Sequence, residues 1–260
     1  MSEGFEIKTV DASNIDETGF FCYMSKRKEP GYKQKHEWLM KRFSEGMKLK
    51  ILHEKNGRDV AFIEYIPGEF AWRAINAPGY MVIHCLWVVG KGKGKGYGSR
   101  LIQECLEDSR AQKMLGVAML TSDRTWLAGK KIFLQNGFKE VAQAPPSFQL
   151  MVSSFRDAVS PSLPEDWDER AKAFGSGLTV IRTPQCPYIE NGARDILAFA
   201  KDRGIQARSL ELKTAKEVQK RSPSAYGVFG TVLDGKLLAY QYLLEKDFDK
   251  LLLLREKSSI

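Results

Sequence analysis

The stretch with the most chemical content is Leu86-Trp87-Val88-Val89-Gly90-Lys91-Gly92-Lys93-Gly94-Lys95-Gly96-Tyr97-Gly98-Ser99-Arg100-Leu101. It begins on an apolar run, turns through alternating glycines and opens an amphipathic helix carrying Leu101, Ile102, Cys105 and Leu106 on one face. Glycines let successive backbone N–H groups converge on a ligand at close range. A helix N-terminus adds partial positive charge, and Lys91, Lys93, Lys95 and Arg100 add full charges with no acid between Val88 and Arg100. Such a turn can cradle a pyrophosphate. A P-loop does not fit, because no Lys-Ser/Thr pair follows the glycines, and the spacing Gly94, Gly96, Gly98 is not that of a dinucleotide fingerprint.

A second reactive candidate is Cys186 in Thr183-Pro184-Gln185-Cys186-Pro187-Tyr188-Ile189, between an apparent strand and an apparent helix. A thiol at a helix N-terminus is expected to gain thiolate character. The other cysteines, Cys22, Cys85 and Cys105, lie far off in sequence. With no CxxC pair and no Cys/His cluster at ligand spacing, neither a disulfide framework nor a metal site is expected.

These residues need elements to position them. Asp16–Lys26 and Lys33–Phe43 read as helices, Leu49–His53 and Val60–Ile66 as strands. Met81–Val89 reads as a strand buried on both faces, followed by the glycine turn and its helix. Val117–Thr121 is expected as a strand and Trp126–Asn136 as a helix closed by Gly137. Short strands near Lys139–Ala142 and Phe148–Val152 complete the unit. Residues 153–176, rich in Ser and acidic side chains, read as a linker with room for one helical segment. The remainder reads β-α-β-α-β-β-α, its hairpin turning at Asp234-Gly235. Three segments follow: a first domain over 1–152, the linker 153–176 and a smaller domain over 177–260.

Lys93-Gly94-Lys95-Gly96-Tyr97-Gly98, after an apolar strand and before Arg100-Leu101-Ile102, resembles the acyl-CoA signature R/Q-x-x-G-x-G/A of the GNAT acetyltransferase superfamily. Lys93 stands where Arg or Gln is usual. Asn136-Gly137-Phe138 resembles that family's second common element, and the order of elements agrees. The resemblance implies an α/β (α+β) GNAT acyl-CoA N-acyltransferase fold with acetyl-CoA as cosubstrate. The pantetheine arm would pair with the backbone of Trp87, Val88 and Val89, and the pyrophosphate would rest on Gly94, Lys95, Gly96, Tyr97, Gly98 and Ser99. It also places His84 at the position where the family often has a catalytic carboxylate, with Glu64 on the preceding strand as the other candidate base. Departures are Phe133, where the family usually has a Tyr that serves as general acid, and Trp126, where it often has Asn. Cys85 adjoins His84, but strand neighbours face opposite ways, which argues against a Cys-His pair. Substrate recognition is expected from Phe20–Tyr32 and Gly68–Tyr80, with Phe70 and Trp72 as a pocket lip.

The Cys186 loop is similar to the Cys-Pro-Tyr-Cys loop of glutaredoxins with Ile189 replacing the second cysteine, which implies a thioredoxin-like fold for 177–260. The combination resembles the YoaP-like bacterial acetyltransferases. The tail is read as a gating or oligomerisation module, compatible with a homodimer, and Cys186 as a monothiol redox candidate.

Composition sets the remaining bounds. The net charge of +8 is spread along the chain, and its one dense cluster is interleaved with glycine instead of aromatics, so nucleic acid is not the expected partner. No apolar run approaches a membrane span, and the polar, acidic N-terminus is unlike a signal peptide, so a cytoplasmic protein is expected. The leading function is transfer of acetyl from acetyl-CoA to an amine of a small molecule or peptide. A non-catalytic acyl-CoA sensor and a monothiol redox protein using Cys186 are the alternatives.

Overall fold

Apolar residues recurring at strand and helix periods build two sheets in the computed structural model, which describes residues 4–55, 57–124 and 127–257. The first sheet contains β1 (Phe5–Val10), β2 (Lys48–Glu54), β3 (Arg58–Pro67), β4 (Tyr80–Val88), β5 (Gly116–Ser122), β6 (Lys139–Ala144) and β7 (Phe148–Ser154), in the order β1-β2-β3-β4-β5-β7-β6. Only β4 and β5 run parallel.

Helices α1 (Ile15–Thr18), α2 (Pro30–Phe43), α3 (Tyr97–Ala111) and α4 (Lys130–Gln135) belong to this part. The stripe Leu101, Ile102 and Cys105 of α3, with Phe133 of α4, packs against Met81, Ile83 and Met119 on one face. Trp38 and Leu39 of α2 pack with Phe62, Val82 and Ala118 on the other. Each face thus receives one amphipathic layer, as a buried central sheet requires.

The second sheet contains β8 (Leu178–Arg182), β9 (Ala207–Glu211), β10 (Phe229–Leu233) and β11 (Lys236–Ala239), in the order β11-β10-β8-β9. β8 and β9 are parallel, joined by α6 (Ile189–Asp202), and the other pairs are antiparallel. α5 (Trp167–Lys172) precedes this sheet, α7 (Ala215–Arg221) lies between β9 and β10, and α8 (Glu245–Lys257) follows β11. Thr214 caps α7 by accepting the Glu217 N–H, and Glu217 returns a carboxylate to the Lys213 N–H. Asp234 and Gly235 turn the hairpin with φ 46° and 71°, both left-handed as a tight turn demands.

Three expectations change. β1 pairs with β2 from Phe5↔Glu54 to Val10↔Leu49, although its alternation carries no deep core signal, because an edge strand buries little. The helix expected over Asp16–Lys26 stops at Thr18, since Gly19, Phe21 and Tyr23 all take positive φ. The helix expected from Trp126 begins only at Lys130, and Trp126 itself lies outside the described residues. Among the described residues no helix is long and apolar enough to cross a membrane.

Candidate active site

β4 and β5 stay paired only from Tyr80↔Gly116 to Ile83↔Met119. Beyond that point β4 continues to Val88, paired on its other edge with β3 through Ile63↔Leu86, Phe62↔Trp87 and Ala61↔Val88. The β5-facing backbone edge of residues 84–88 is therefore released from the sheet, and two parallel strands splay into a cleft. Peptide groups along such an edge need partners, which an extended amide-bearing chain would supply.

The glycine turn lies at the end of that strand. Gly94 and Gly96 have φ of 79° and 80°, and a Cβ built on either would meet no atom within 4 Å. Side chains are thus excluded by backbone conformation, while the space in front stays open for a ligand. Gly96 precedes α3, whose first turn has no side-chain cap. Gly98 has a different reason: its Cβ would come within 2.7 Å of Ile132 Cδ1, so α4 packs close only because position 98 is bare. Asn136, from the second motif, fixes this packing by donating to Ser99 Oγ at 3.0 Å and Ile132 O at 2.8 Å.

The charges are not all free. Lys95 Nζ and Tyr97 Oη both donate to Glu54 Oε1, at 2.7 and 2.8 Å, and Arg100 pairs with Glu104 at 2.8 Å. Glu54, invisible to motif reading because it comes from β2, neutralises one lysine of the cluster. Lys91 and Lys93 remain exposed beside the turn.

Toward the other end of the cleft the β3–β4 register slips. Glu64 faces Cys85 and Tyr65 faces Ile83, leaving His84 unopposed in a bulge. The bulge cancels the alternation expected for adjacent residues: His84 lies 6.0 Å from the Trp38 ring of α2, and Cys85 packs against the same hydrophobic cluster. This corrects the expectation that they point apart.

In a charged cluster Lys35 Nζ donates to Glu64 Oε2 at 2.6 Å, both side chains being buried. Gln185 approaches Glu64 Oε1 at 3.4 Å, and His84 Nδ1 lies 3.7 Å from the same oxygen. Burial alone would raise the Glu64 carboxyl; Lys35 and His84 override it and bring it down to about 2. His84 is wholly buried, and its Nε2 accepts the Trp72 N–H at 2.9 Å. Burial brings the imidazole down to about 4, so it is neutral with its proton on Nδ1. A free imidazole base, as expected from the sequence, is not what the geometry presents: the lone pair is engaged and the ring is sealed.

Arg73 donates to Trp72 O at 2.9 Å, to Gln185 Oε1 at 2.6 Å and to the carbonyl of His84. Trp72 is buried against Trp38, ring centroids 5.5 Å apart, and does not form the pocket lip that its sequence suggested; Phe70 is exposed. Phe133 is buried edge-on to Phe138 at 5.3 Å.

Gln185 belongs to the loop that carries Cys186, so the second sheet reaches this cluster directly. Around it Ala74 N–H donates to Ala225 O at 3.2 Å, Gln219 reaches Ala71 O at 2.9 Å, and Phe148 packs on Tyr240 at 4.7 Å. Tyr23 and Tyr188 meet edge to face at 4.9 Å, and Asn191 donates to Tyr23 Oη at 2.6 Å. A groove of about 610 Å³ opens there, lined by Tyr23, Lys26, Tyr188, Asn191, Asp195 and Tyr242. Lys35, Arg73 and Gln185 were not singled out by sequence. No local motif marks them, since they converge from α2, the segment before β4 and the loop before α6.

Comparison with known proteins fits this geometry. Residues 14–128 match the Acetyltransferase (GNAT) family. Over 246 residues the chain is 31% identical to the N-acetyltransferase YoaP of Bacillus subtilis (strain 168), itself uncharacterized, covering 94% of this chain and 96% of that one. Among solved structures, a GNAT acetyltransferase from Brucella melitensis in complex with acetyl-CoA aligns at 16% identity and TM-score 0.38, covering 61% of this chain and 93% of its own. The ribosomal-protein-S5-alanine acetyltransferase of Vibrio fischeri aligns at 12% identity and TM-score 0.46, covering 60% and 96%. The chain belongs to the GNAT acetyltransferase family and is an acetyl-CoA-dependent N-acetyltransferase.

Proposed function

We propose that acetyl-CoA lies in the β4–β5 cleft with its pyrophosphate on the Gly94–Ser99 amides, and that the acceptor amine reaches the thioester from the side covered by the second sheet. The observation that carries this reading is the end of β4–β5 pairing at Ile83↔Met119, directly ahead of the open glycine turn. The residues fit the group. A free β4 edge suits the pantetheine amides at Trp87, Val88 and Val89, an uncapped helix start suits a diphosphate, and Lys91 and Lys93 supply charge.

Transfer needs an amine held against the thioester and relieved of its proton. Glu64 is ionised and closed in by Lys35, Gln185 and His84, and His84 has no free lone pair. We therefore read both as positioning residues: His84 and Glu64 hold the β4 bulge and the Arg73 segment in place. The amine proton leaves through water in the cleft.

Residues 1–152 and 177–260 are read as two domains joined by 153–176. The β9-β8-β10-β11 order, with Cys186 at the head of α6, supports a thioredoxin-like second domain. Its loops dock over the acceptor side, which supports a gating role; a homodimer and a cytoplasmic location are carried as part of the same reading.

Calorimetric titration with acetyl-CoA, beside a Lys93→Glu/Gly96→Glu variant, tests the cleft. Micromolar binding abolished in the variant is the expected result, followed by an amine screen read by release of free CoA. Equal binding by both proteins would place the cosubstrate elsewhere.

A further inference from the structure

Glu54 ends β2 and is buried, 8% exposed, although it belongs to no motif. Lys95 Nζ and Tyr97 Oη, 41 and 43 positions away, converge on one of its oxygens at 2.7 and 2.8 Å. They are the residues on either side of Gly96, which stands between them at φ 80°. Tyr97 is held a second time: its ring meets Phe5 edge-on at 5.5 Å, and Phe5 pairs with Glu54 across β1 and β2. Behind the ring lies Gly92, where an added Cβ would come within 3.3 Å of Tyr97 Cδ2 and 3.4 Å of Val60 Cβ. The glycine turn is thus fastened to the β1–β2 corner of the sheet through the side chains of Lys95 and Tyr97.

Such a turn needs fastening. Lys95 N–H reaches Gly92 O only at 3.4 Å, longer than a well-formed backbone hydrogen bond. Glycine also loses more conformational freedom on ordering than any other residue. Amides that converge on an anion bind it best when their arrangement exists before the anion arrives. The directions agree with this division of labour: the space beside Gly94 and Gly96 is open, while the side chains at 95 and 97 are drawn off to Glu54. Charge alone would argue against a carboxylate here, because it repels a diphosphate. Lys95 cancels that charge, so what remains of the trio is its geometry.

We propose that Glu54 is a positioning residue for acetyl-CoA: by accepting from Lys95 and Tyr97 it holds the amides of Gly94–Ser99 in the arrangement that receives the pyrophosphate. Lys95 then works as a strut and not as a phosphate ligand, unlike Lys91 and Lys93. This role rests on the pyrophosphate reading above, to which it adds what keeps the cradle in shape before the cosubstrate arrives.

The test is calorimetric titration of acetyl-CoA into the full-length protein and its variants, with hydrogen exchange followed in the free proteins. Glu54→Leu should weaken binding about tenfold, the scale of leaving one residue's backbone unfixed. It should also speed exchange at residues 93–99 while β4 keeps its protection, which a general loss of stability would not do. Lys95→Met/Tyr97→Phe removes the same two bonds from the turn's side and keeps the test open should Glu54→Leu fail to fold. It should lose as much affinity, and the triple variant no more than either. Glu54→Gln keeps an acceptor oxygen in place and should bind nearly as the parent does. Tighter binding by Glu54→Leu and Glu54→Gln alike would make Glu54 a charge that opposes the cosubstrate, and unchanged binding would make it an ordinary strand end. Either result overturns the proposal, as do additive losses in the triple variant. Lys93→Glu/Gly96→Glu separates the two levels. If it binds like its parent, the cradle reading fails and this role with it; binding lost there but unchanged in Glu54→Leu overturns the role of Glu54 alone.

Discussion

Gly31→Ala separates what the helix asks for from what the assembled fold allows. Position 31 lies in the first turn of α2, and local propensity alone favours Ala over Gly there by up to about 1 kcal/mol. Yet the added Cβ would stand 2.1 Å from Pro187 O and 3.1 Å from its carbonyl carbon. The obstacle is backbone, so no side-chain rotation relieves it. The loop is also held on several sides, by Arg73 to Gln185, by Tyr23 against Tyr188 and by Asn191 to Tyr23. Overpacking a well-packed contact costs about 1–3 kcal/mol, and a rigid neighbour places this case toward the upper end. Subtracting the helix gain leaves a net loss of about 1–2 kcal/mol, which for a chain of this size lowers the melting temperature by roughly 2–4 °C per kcal/mol. Thermal and urea unfolding of the variant give the number. Gly192→Ala is the comparison, because its Cβ would meet the Tyr242 ring, a side chain and not backbone; it should cost less than Gly31→Ala. A Gly31→Ala protein as stable as its parent would show that α2 and the Cys186 loop are not in contact.

Three further outcomes follow from the charged cluster and the glycine turn. Lys35→Met or Glu64→Gln leaves a buried charge without its partner and should cost about 3–5 kcal/mol in urea unfolding, whereas the Lys35→Met/Glu64→Leu double variant should cost less than either; additive losses would mean that the pair does not interact. His84, ordinarily near 6.5 but held at about 4 by burial, is neutral in the fold and takes a proton on unfolding. Stability present above pH 6.5 should therefore fall as the pH drops toward 4, by about 3 kcal/mol in all. His84→Gln should flatten that slope between pH 6.5 and 4.5, above the range in which Glu64 titrates, and an unchanged slope would rule out the assignment. Acetyl-CoA affinity should weaken with added salt, and Lys91→Gln/Lys93→Gln should weaken it at low salt while reducing that dependence; identical salt profiles would remove those two lysines from the cradle.

Much of the first sheet was legible because its information is local. The run ending at Val89 and the glycines to Gly98 announce a strand, a turn and a helix in consecutive residues, and Gly137 ends α4 at φ 81° as its type suggests. The second sheet was legible for the same reason, with Asp234-Gly235 fixing its hairpin. What was not legible came from departures from period and from pairing across distance. β1 looked unremarkable because both its edge and much of its surface face solvent. The break after Thr18 depends on Phe21 and Tyr23 accepting positive φ, which no propensity favours.

The bulge at His84 shows why the candidate site was harder to read than the fold. A strand's alternation assigns each side chain a face only while the register holds, and one inserted residue reassigns every side chain beyond it. Counting by twos from Tyr80 sends His84 and Cys85 to opposite faces; with the slip between Glu64 and Tyr65, both face the cluster that holds Trp38 of α2. The same slip lies next to the point where β5 leaves β4 after Met119. Lys35 and Arg73 then bring two buried cations to one buried carboxylate, an imbalance that water cannot screen there. Arg73 is accommodated by carbonyl and amide oxygens, including that of Gln185 from the second sheet. An arginine satisfied by a loop 112 positions away makes the cluster dependent on that docking. Gln185→Leu would remove the amide acceptor while keeping similar bulk, and should loosen the Arg73 segment and the Cys186 loop together. Hydrogen exchange resolves the two: faster exchange at both residues 71–74 and 183–188 is the expected outcome, and a change at only one would show that Arg73 does not couple them.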